Sequence, residues 1–147
     1  MAAIRRAQTS WSGDLPSGKG TVSGTTSHAF NDLQVTWASR AENPDGRTSP
    51  EELIAAAHSS CFAMALSAGL GRAGTPPQQL NVASTVTFDK VGDGFKVVSS
   101  ALDVRGRVSG LDQAGFQKAA EEAKDGCPVS QALKGNVELS VTATLES

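Results

Sequence analysis

Hydrophobic positions along the chain follow two periods, and the switch between them divides the sequence. Residues 2–47 are rich in Ser, Thr and Gly with Val, Leu and Trp scattered singly, the pattern of short half-buried strands joined by turns. It predicts strands over 4–12, 19–27 and 32–38, with a turn at "GDLPSG" and a loop at "AENPDGRTS". At residue 49 the period becomes helical. "SPEE" offers Ser49 as N-cap, Pro50 at the first helical position and Glu52 to complete a capping box. The helix predicted over 49–73 has the body "LIAAAHSSCFAMALSAGLG", apolar or small nearly all round, which predicts a helix lying inside the protein. Gly71 or Gly74 ends it before "TPP".

Alternation then returns. "LNVASTVTFDKV" and "FKVVSSALDVRGRV" flank "GDG", the chemistry of a β-hairpin turn. An amphipathic helix is predicted over 112–124 with Asp112 as N-cap, a short helix from Cys127-Pro128 to Leu133, and a final strand at "NVELSVTATLE". The order βββ-α-ββ-αα-β reads as one α+β domain over 1–147, with N-terminal strands in 1–47, the central helix in 49–73 and the remainder in 79–147. Pairing is expected to be mostly antiparallel, because strands adjoin one another rather than alternating with helices. A six-stranded sheet cannot cover an apolar helix on every side, so a second copy of the chain is the expected cover.

Composition narrows the function. Lys and Arg number 13 against 15 Asp and Glu, and neither sign forms a run, which argues against nucleic acid or a membrane surface as partner. "MAAIRRAQTSW" lacks the apolar core of a signal peptide, and no stretch is expected to reach the ~20 apolar residues of a membrane span. The expected location is the cytoplasm. Thiols are kept reduced there, and disulfides that form are mostly transient and catalytic. The chain has 2 cysteines, Cys61 and Cys127.

Three constellations were weighed. "GDLPSGKG" nearly matches a phosphate-binding loop, but Gly20 stands where a Mg²⁺-binding Ser or Thr belongs, and strand-like sequence follows in place of a helix. His28, His58, Cys61 and Cys127 supply zinc-capable side chains without the paired spacing of a zinc site. Each cysteine alone reads as a small buried hydrophobe. Yet Cys127 precedes Pro128 at a helix N-terminus, where amide groups favour a thiolate. Cys61 lies about three turns into its helix, too deep for the helix dipole to help, and as a nucleophile it needs a cation from elsewhere. Arg40, in "WASRAEN", is one candidate.

"SPEELIAAAHSSCFAMALS" at 49–67 and "AKDGCPVSQALKG" at 123–135, with "WSGDLPSGKGTVS" and "FDKVGDGF", resemble the OsmC/Ohr peroxidases, in particular the OsmC branch, over nearly the whole chain. The resemblance implies an intertwined homodimer that reduces organic hydroperoxides, and hydrogen peroxide, with a thiol pair regenerated by an external dithiol and with no metal or other cofactor. By motif position it implies Cys61 as the peroxide-attacking residue, Cys127 as the resolving one, Glu51 as the acid that holds an arginine, and Arg40 as that arginine. Arg47 lies close by and stays an alternative.

Helix geometry adds one expectation. Glu51 and Cys61 stand ten residues apart, about 15 Å along an α-helix and roughly 80° around it, too far for one arginine to touch both. Two copies of the helix crossing antiparallel near Ala56, where "AAA" permits close approach, would bring Glu51 of one level with Cys61 of the other. A non-catalytic dimeric domain that binds a small apolar ligand and keeps its cysteines as inert core is the competing reading.

Overall fold

The computed structural model describes residues 1–146, which form two compact units, Met1–Leu53 and the chain from Ile54 onward. In the first, β1 (Ala7–Ser12), β2 (Lys19–Gly24) and β3 (Leu33–Val35) form an antiparallel meander, with Trp11 opposite Gly20 and Val22 opposite Leu33. "GDLPSG" is the β1–β2 turn: Asp14 Oδ1 accepts the Ser17 amide at 3.0 Å and the Ser17 hydroxyl at 2.5 Å, and β2 starts at Lys19.

The third strand is shorter than the predicted 32–38. Thr36 leaves the sheet to cap α1 (Trp37–Ala41): its Oγ1 accepts the Ser39 amide at 3.0 Å, and its own amide donates to Ser39 Oγ at 3.0 Å. This reciprocal cap fixes the first turn of a helix, and the alternation of Leu33, Val35 and Trp37 conceals it. The six strands also do not make one sheet. Beyond β3 the Thr48 amide donates to the Gln34 carbonyl at 2.9 Å, so a loop occupies that edge and the sheet stops at three strands.

α2 (Pro50–Arg72) starts in the first unit and continues through the second. Ser49 Oγ accepts the Glu52 amide at 3.1 Å, while the Glu52 carboxylate accepts the Thr48 hydroxyl at 2.6 Å. Gly74, at φ +82°, and a bond from the Thr75 amide to the Leu70 carbonyl at 2.9 Å close its C-terminal end.

The second unit holds the main core. β4 (Gln79–Val91) and β5 (Gly94–Arg107) form a long hairpin turning at Gly92-Asp93. β6 (Glu138–Leu145) pairs parallel to β5 after α3 (Gln113–Gly126) and α4 (Pro128–Leu133), the crossover that parallel strands require. Phe62, Leu66 and Leu70 of α2 share one core with Leu102 and Val104 of β5, Phe116 and Ala120 of α3, and Val141 and Ala143 of β6.

α2 buries one face of its second-unit stretch, not its whole circumference. His58, Phe62, Leu66 and Leu70 recur every four residues and are buried, while Ala56, Ala57, Ser60, Met64, Ser67 and Ala68 face outward, Met64 at 73% exposure. One three-stranded sheet covers one side of a helix. The helix is also long and apolar enough to cross a membrane by length and composition, at a mean hydropathy of 1.5, contrary to the expectation that no stretch comes near it; its His58–Leu70 face packs into a protein core instead.

Gly106 on β5 is where α3 seats its largest side chain. A Cβ there would lie 2.5 Å from Phe116 Cζ and 3.0 Å from Leu80 Cδ2. Gly106→Ala is expected to destabilise the protein by about 1–3 kcal/mol, seen as a lower denaturant midpoint at unchanged slope; an unmoved midpoint would show that Phe116 repacks freely.

Candidate active site

The four candidate residues fall into two pairs, one in each unit. Arg40 ends the short helix α1, and Glu51 stands in the first turn of α2, where the helix N-terminus favours a carboxylate. Arg40 Nε donates to Glu51 Oε1 and Oε2 at 3.1 and 3.2 Å, and Nη2 donates to Oε1 at 2.8 Å. Glu51 is buried and the arginine side chain half-buried. Such a planar fork fixes the guanidinium in orientation as well as position. Arg47 turns away, to Asp45 at 3.2 Å on an exposed loop. Glu51 therefore holds Arg40, not Arg47.

Arg40 lines a cavity of about 330 Å³ within the first unit, walled by Trp11, Leu15, Val22, Trp37 and Leu53. The residues that shape it come from β1, the β1–β2 turn, β2, α1 and the start of α2. An apolar chamber with one oriented cation at its wall suits a molecule with an apolar body and an oxygen-rich end.

Cys61 and Cys127 form the second pair. Cys127 closes α3 and opens α4, with Pro128 at the first helical position, so its sulfur meets the start of α4. The two sulfurs lie 2.9 Å apart in hydrogen-bond contact, and both cysteines are free; a disulfide bond is about 2.05 Å long. Cys127 is wholly buried, Cys61 partly.

Their surroundings treat the two thiols differently. Burial pushes the Cys61 thiol up, and the contact with Cys127 pushes it further, against one opposing hydrogen bond from the Val129 amide. Burial also works against ionisation of Cys127, yet its thiol is drawn down by hydrogen bonds from Cys61, from the amide and hydroxyl of Ser130 and from the Val129 amide. The surroundings therefore shift the two thiols in opposite directions, Cys61 up and Cys127 down. The lowering of the Cys127 thiol by the first amides of α4 is the expected helix-N-terminal effect, and Cys61, deeper in its helix, gains no such lowering overall.

His58, one turn before Cys61, is the buried, hydrogen-bonded histidine that its apolar setting suggests, and only its partners lay beyond the sequence. Its Nδ1 lies 2.6 Å from Ser100 Oγ, its Nε2 2.7 Å from Ser130 Oγ, and Ser100 Oγ lies 2.9 Å from Ser84 Oγ. Both ring nitrogens are taken, which leaves none for a metal. Among the described residues no group of three or more His, Cys, Asp or Glu is arranged to hold a metal ion. The available signal was Ser100, a polar residue on the inward phase of β5, in register with the buried Leu102 and Val104.

Comparison with known proteins gives a uniform picture. Residues 43–142 match the family described as OsmC-like protein. The chain is 43% identical over 139 residues to Peroxiredoxin OsmC of Escherichia coli K12, covering 95% of this chain and 96% of that one. It is 31% identical over 96 residues to the organic hydroperoxide resistance protein of Xanthomonas axonopodis pv. citri, covering 65% and 66%. The crystal structure of the organic hydroperoxide resistance protein OhrB of Bacillus subtilis superposes with a TM-score of 0.75 at 23% identity, covering 95% of this chain and 98% of that one. The OsmC-like protein of Mycoplasma pneumoniae does so at 0.74 and 12% identity over the whole of both chains. At those identities the superpositions speak for the fold.

Burial holds the His58 imidazole below its usual range. The unfolded chain then binds more protons than the folded one near that range, so stability rises with pH. The contribution is complete above the unfolded value of about 6.5 and is lost as pH falls toward the lower folded value. Denaturant midpoints measured between pH 7.5 and 5.5 should drop in the wild type, and His58→Gln should flatten that drop; equal slopes would show that His58 titrates alike in both states.

Proposed function

The chain belongs to the OsmC-like protein family, and from that premise we propose that it is a thiol peroxidase that reduces organic hydroperoxides, and hydrogen peroxide, through Cys61 and Cys127. The contact between the two sulfurs supports the reading, since a sulfenic acid on Cys61 would have a second thiol beside it. The Cys61 thiolate attacks the distal oxygen of the hydroperoxide, forming an S–O bond as the O–O bond breaks, and the alkoxide leaves as the alcohol on taking a proton. Cys127 then attacks Cys61, forming the disulfide and releasing water. An external dithiol exchanges with that disulfide and restores both thiols. Rapid capture by Cys127 spares Cys61 a second oxidation to the sulfinic state, which is largely irreversible.

Arg40 completes the site in this reading. A thiol held protonated by burial and by its neighbour reacts slowly, because the thiolate is the nucleophile. A guanidinium beside Cys61 stabilises the thiolate and the charge that develops on the leaving oxygen. Glu51 holds the guanidinium in place, and the cavity at Arg40 receives the organic body of the substrate. The outward face of α2 supports a homodimer, since Ala56, Ala57 and Ser60 allow a second helix to approach closely and Met64 gains cover. Crossing helices of two copies then supply Arg40 and Glu51 of one to Cys61 of the other. The proposed setting is the cytoplasm, where dithiol reductants are at hand.

Cumene hydroperoxide consumption with a dithiol donor tests this. Cys61→Ser should abolish turnover, Cys127→Ser should halt it after one round, and Arg40→Ala should slow the first step by ~10²-fold or more. No turnover in the wild type, or turnover unchanged in Cys61→Ser, would leave the cysteines as inert core and favour the ligand-binding domain. Mixed dimers of Cys61→Ser and Glu51→Ala subunits should regain about one working site; no recovery would place all the residues in one subunit.

A further inference from the structure

His58 is wholly buried and neutral, enters neither sulfur step above, and stands between two serines that lead in opposite directions. Ser130 is the joint on one side: its oxygen is 2.7 Å from His58 Nε2, it stands in the first turn of α4 three residues after Cys127 at that helix's N-cap, and its hydroxyl and amide draw the Cys127 thiol down. A hydroxyl has one proton to donate. When that proton points at Cys127, the Ser130 oxygen accepts from His58, so the ring proton is on Nε2. Nδ1 then accepts from Ser100, whose oxygen accepts from Ser84. Donation runs in one direction through Ser84, Ser100, His58 and Ser130 to the sulfur. Reversing every bond gives the arrangement for a Cys127 thiol, and passing from that arrangement to the first moves one proton from the sulfur out to the half-buried Ser84, with the imidazole neutral before and after.

We propose that Ser130 and His58 are positioning residues of the resolving step, aiming the Cys127 sulfur at Cys61 and conducting its proton to Ser84. The inference rests on the peroxidase reading. In that step the S–S bond forms between Cys127 and Cys61, the S–O bond of the sulfenic acid breaks, and the departing hydroxide becomes water with one proton; the proton that Cys127 gives up leaves through the relay. A core histidine satisfied by two serines accounts for the ring, but not for a chain of donors that ends on a reactive sulfur. The groups that meet the relay and the sulfur are Cys61 from α2, Val129 and Ser130 from α4, Ser84 from β4 and Ser100 from β5, none of them a fixed charge. Charged side chains, Lys124, Asp125 and Lys134, line a crevice of about 200 Å³ together with Ser130.

The test is a single turnover with one equivalent of cumene hydroperoxide, followed across pH in the wild type, Ser130→Ala and His58→Gln, with dimedone trapping of the sulfenic acid. Loss of the first thiol should keep its wild-type rate. Loss of the second should slow ~tenfold at neutral pH, its pH profile displaced upward by about one unit, with rates converging at high pH and more sulfenic acid trapped in between. His58→Gln, whose amide can both donate and accept, should fall between the wild type and Ser130→Ala. Profiles that superpose on the wild type, or a slowing that is the same at every pH, overturn the proposal. If Ser130→Ala does not fold, Ser84→Ala breaks the far end of the same chain and is read in the same way. If the wild type loses no thiols, the peroxidase reading fails by itself. The thiolate absorbance of Cys127 in a Cys61→Ser background then decides the relay: its midpoint rises by about one pH unit with Ser130→Ala, or it stays and the relay is refuted.

Discussion

Two sulfurs 2.9 Å apart cannot both carry a full charge, and their surroundings shift the two thiols in opposite directions. α4 presents two amides and a hydroxyl to Cys127, while burial leaves Cys61 with one amide. In the proposed peroxidase cycle this favours Cys127, the second nucleophile, and leaves Cys61, the first, without such help. That imbalance is useful if a cation reaches Cys61 only when the complete site is assembled. Arg40 is suited to the role because its orientation is already fixed by Glu51, so little ordering is left to be done during the reaction.

The exposed side of α2 belongs to the same logic. A helix that is apolar or small all round, yet buried on one side, is unfinished as a monomer. Its outward residues are mostly Ala and Ser, which make a poor surface for a lipid-facing or ligand-lined wall and a good one for a close crossing of backbones. In the proposed homodimer, cover for the helix and a cation for Cys61 would both come from the second copy of the chain.

Much of this was legible in the sequence wherever a local rule had no competitor. Ser49 and Pro50 fixed the start of α2, Asp112 capped α3, Pro128 opened α4 and "GDG" turned the hairpin, because caps and turns depend on neighbours in sequence. The errors arose where two patterns overlapped or where tertiary placement decided. Leu33, Val35 and Trp37 alternate like a strand, but Thr36 caps a helix there, so spacing alone could not choose between Arg40 and Arg47 as the partner of Glu51. The division into two three-stranded sheets depends on Thr48 sealing the edge of β3, a contact with no sequence signature. The link from His58 to Ser130 joins residues 72 apart, beyond the reach of any periodicity.

Peptide mapping by mass spectrometry after one equivalent of cumene hydroperoxide tests the sulfur pair most directly. A disulfide joining Cys61 to Cys127 within a single chain, with both thiols lost together, is the expected product. Recovery of Cys61 as sulfinic acid beside an unmodified Cys127, or of crosslinks only between chains, would contradict the account.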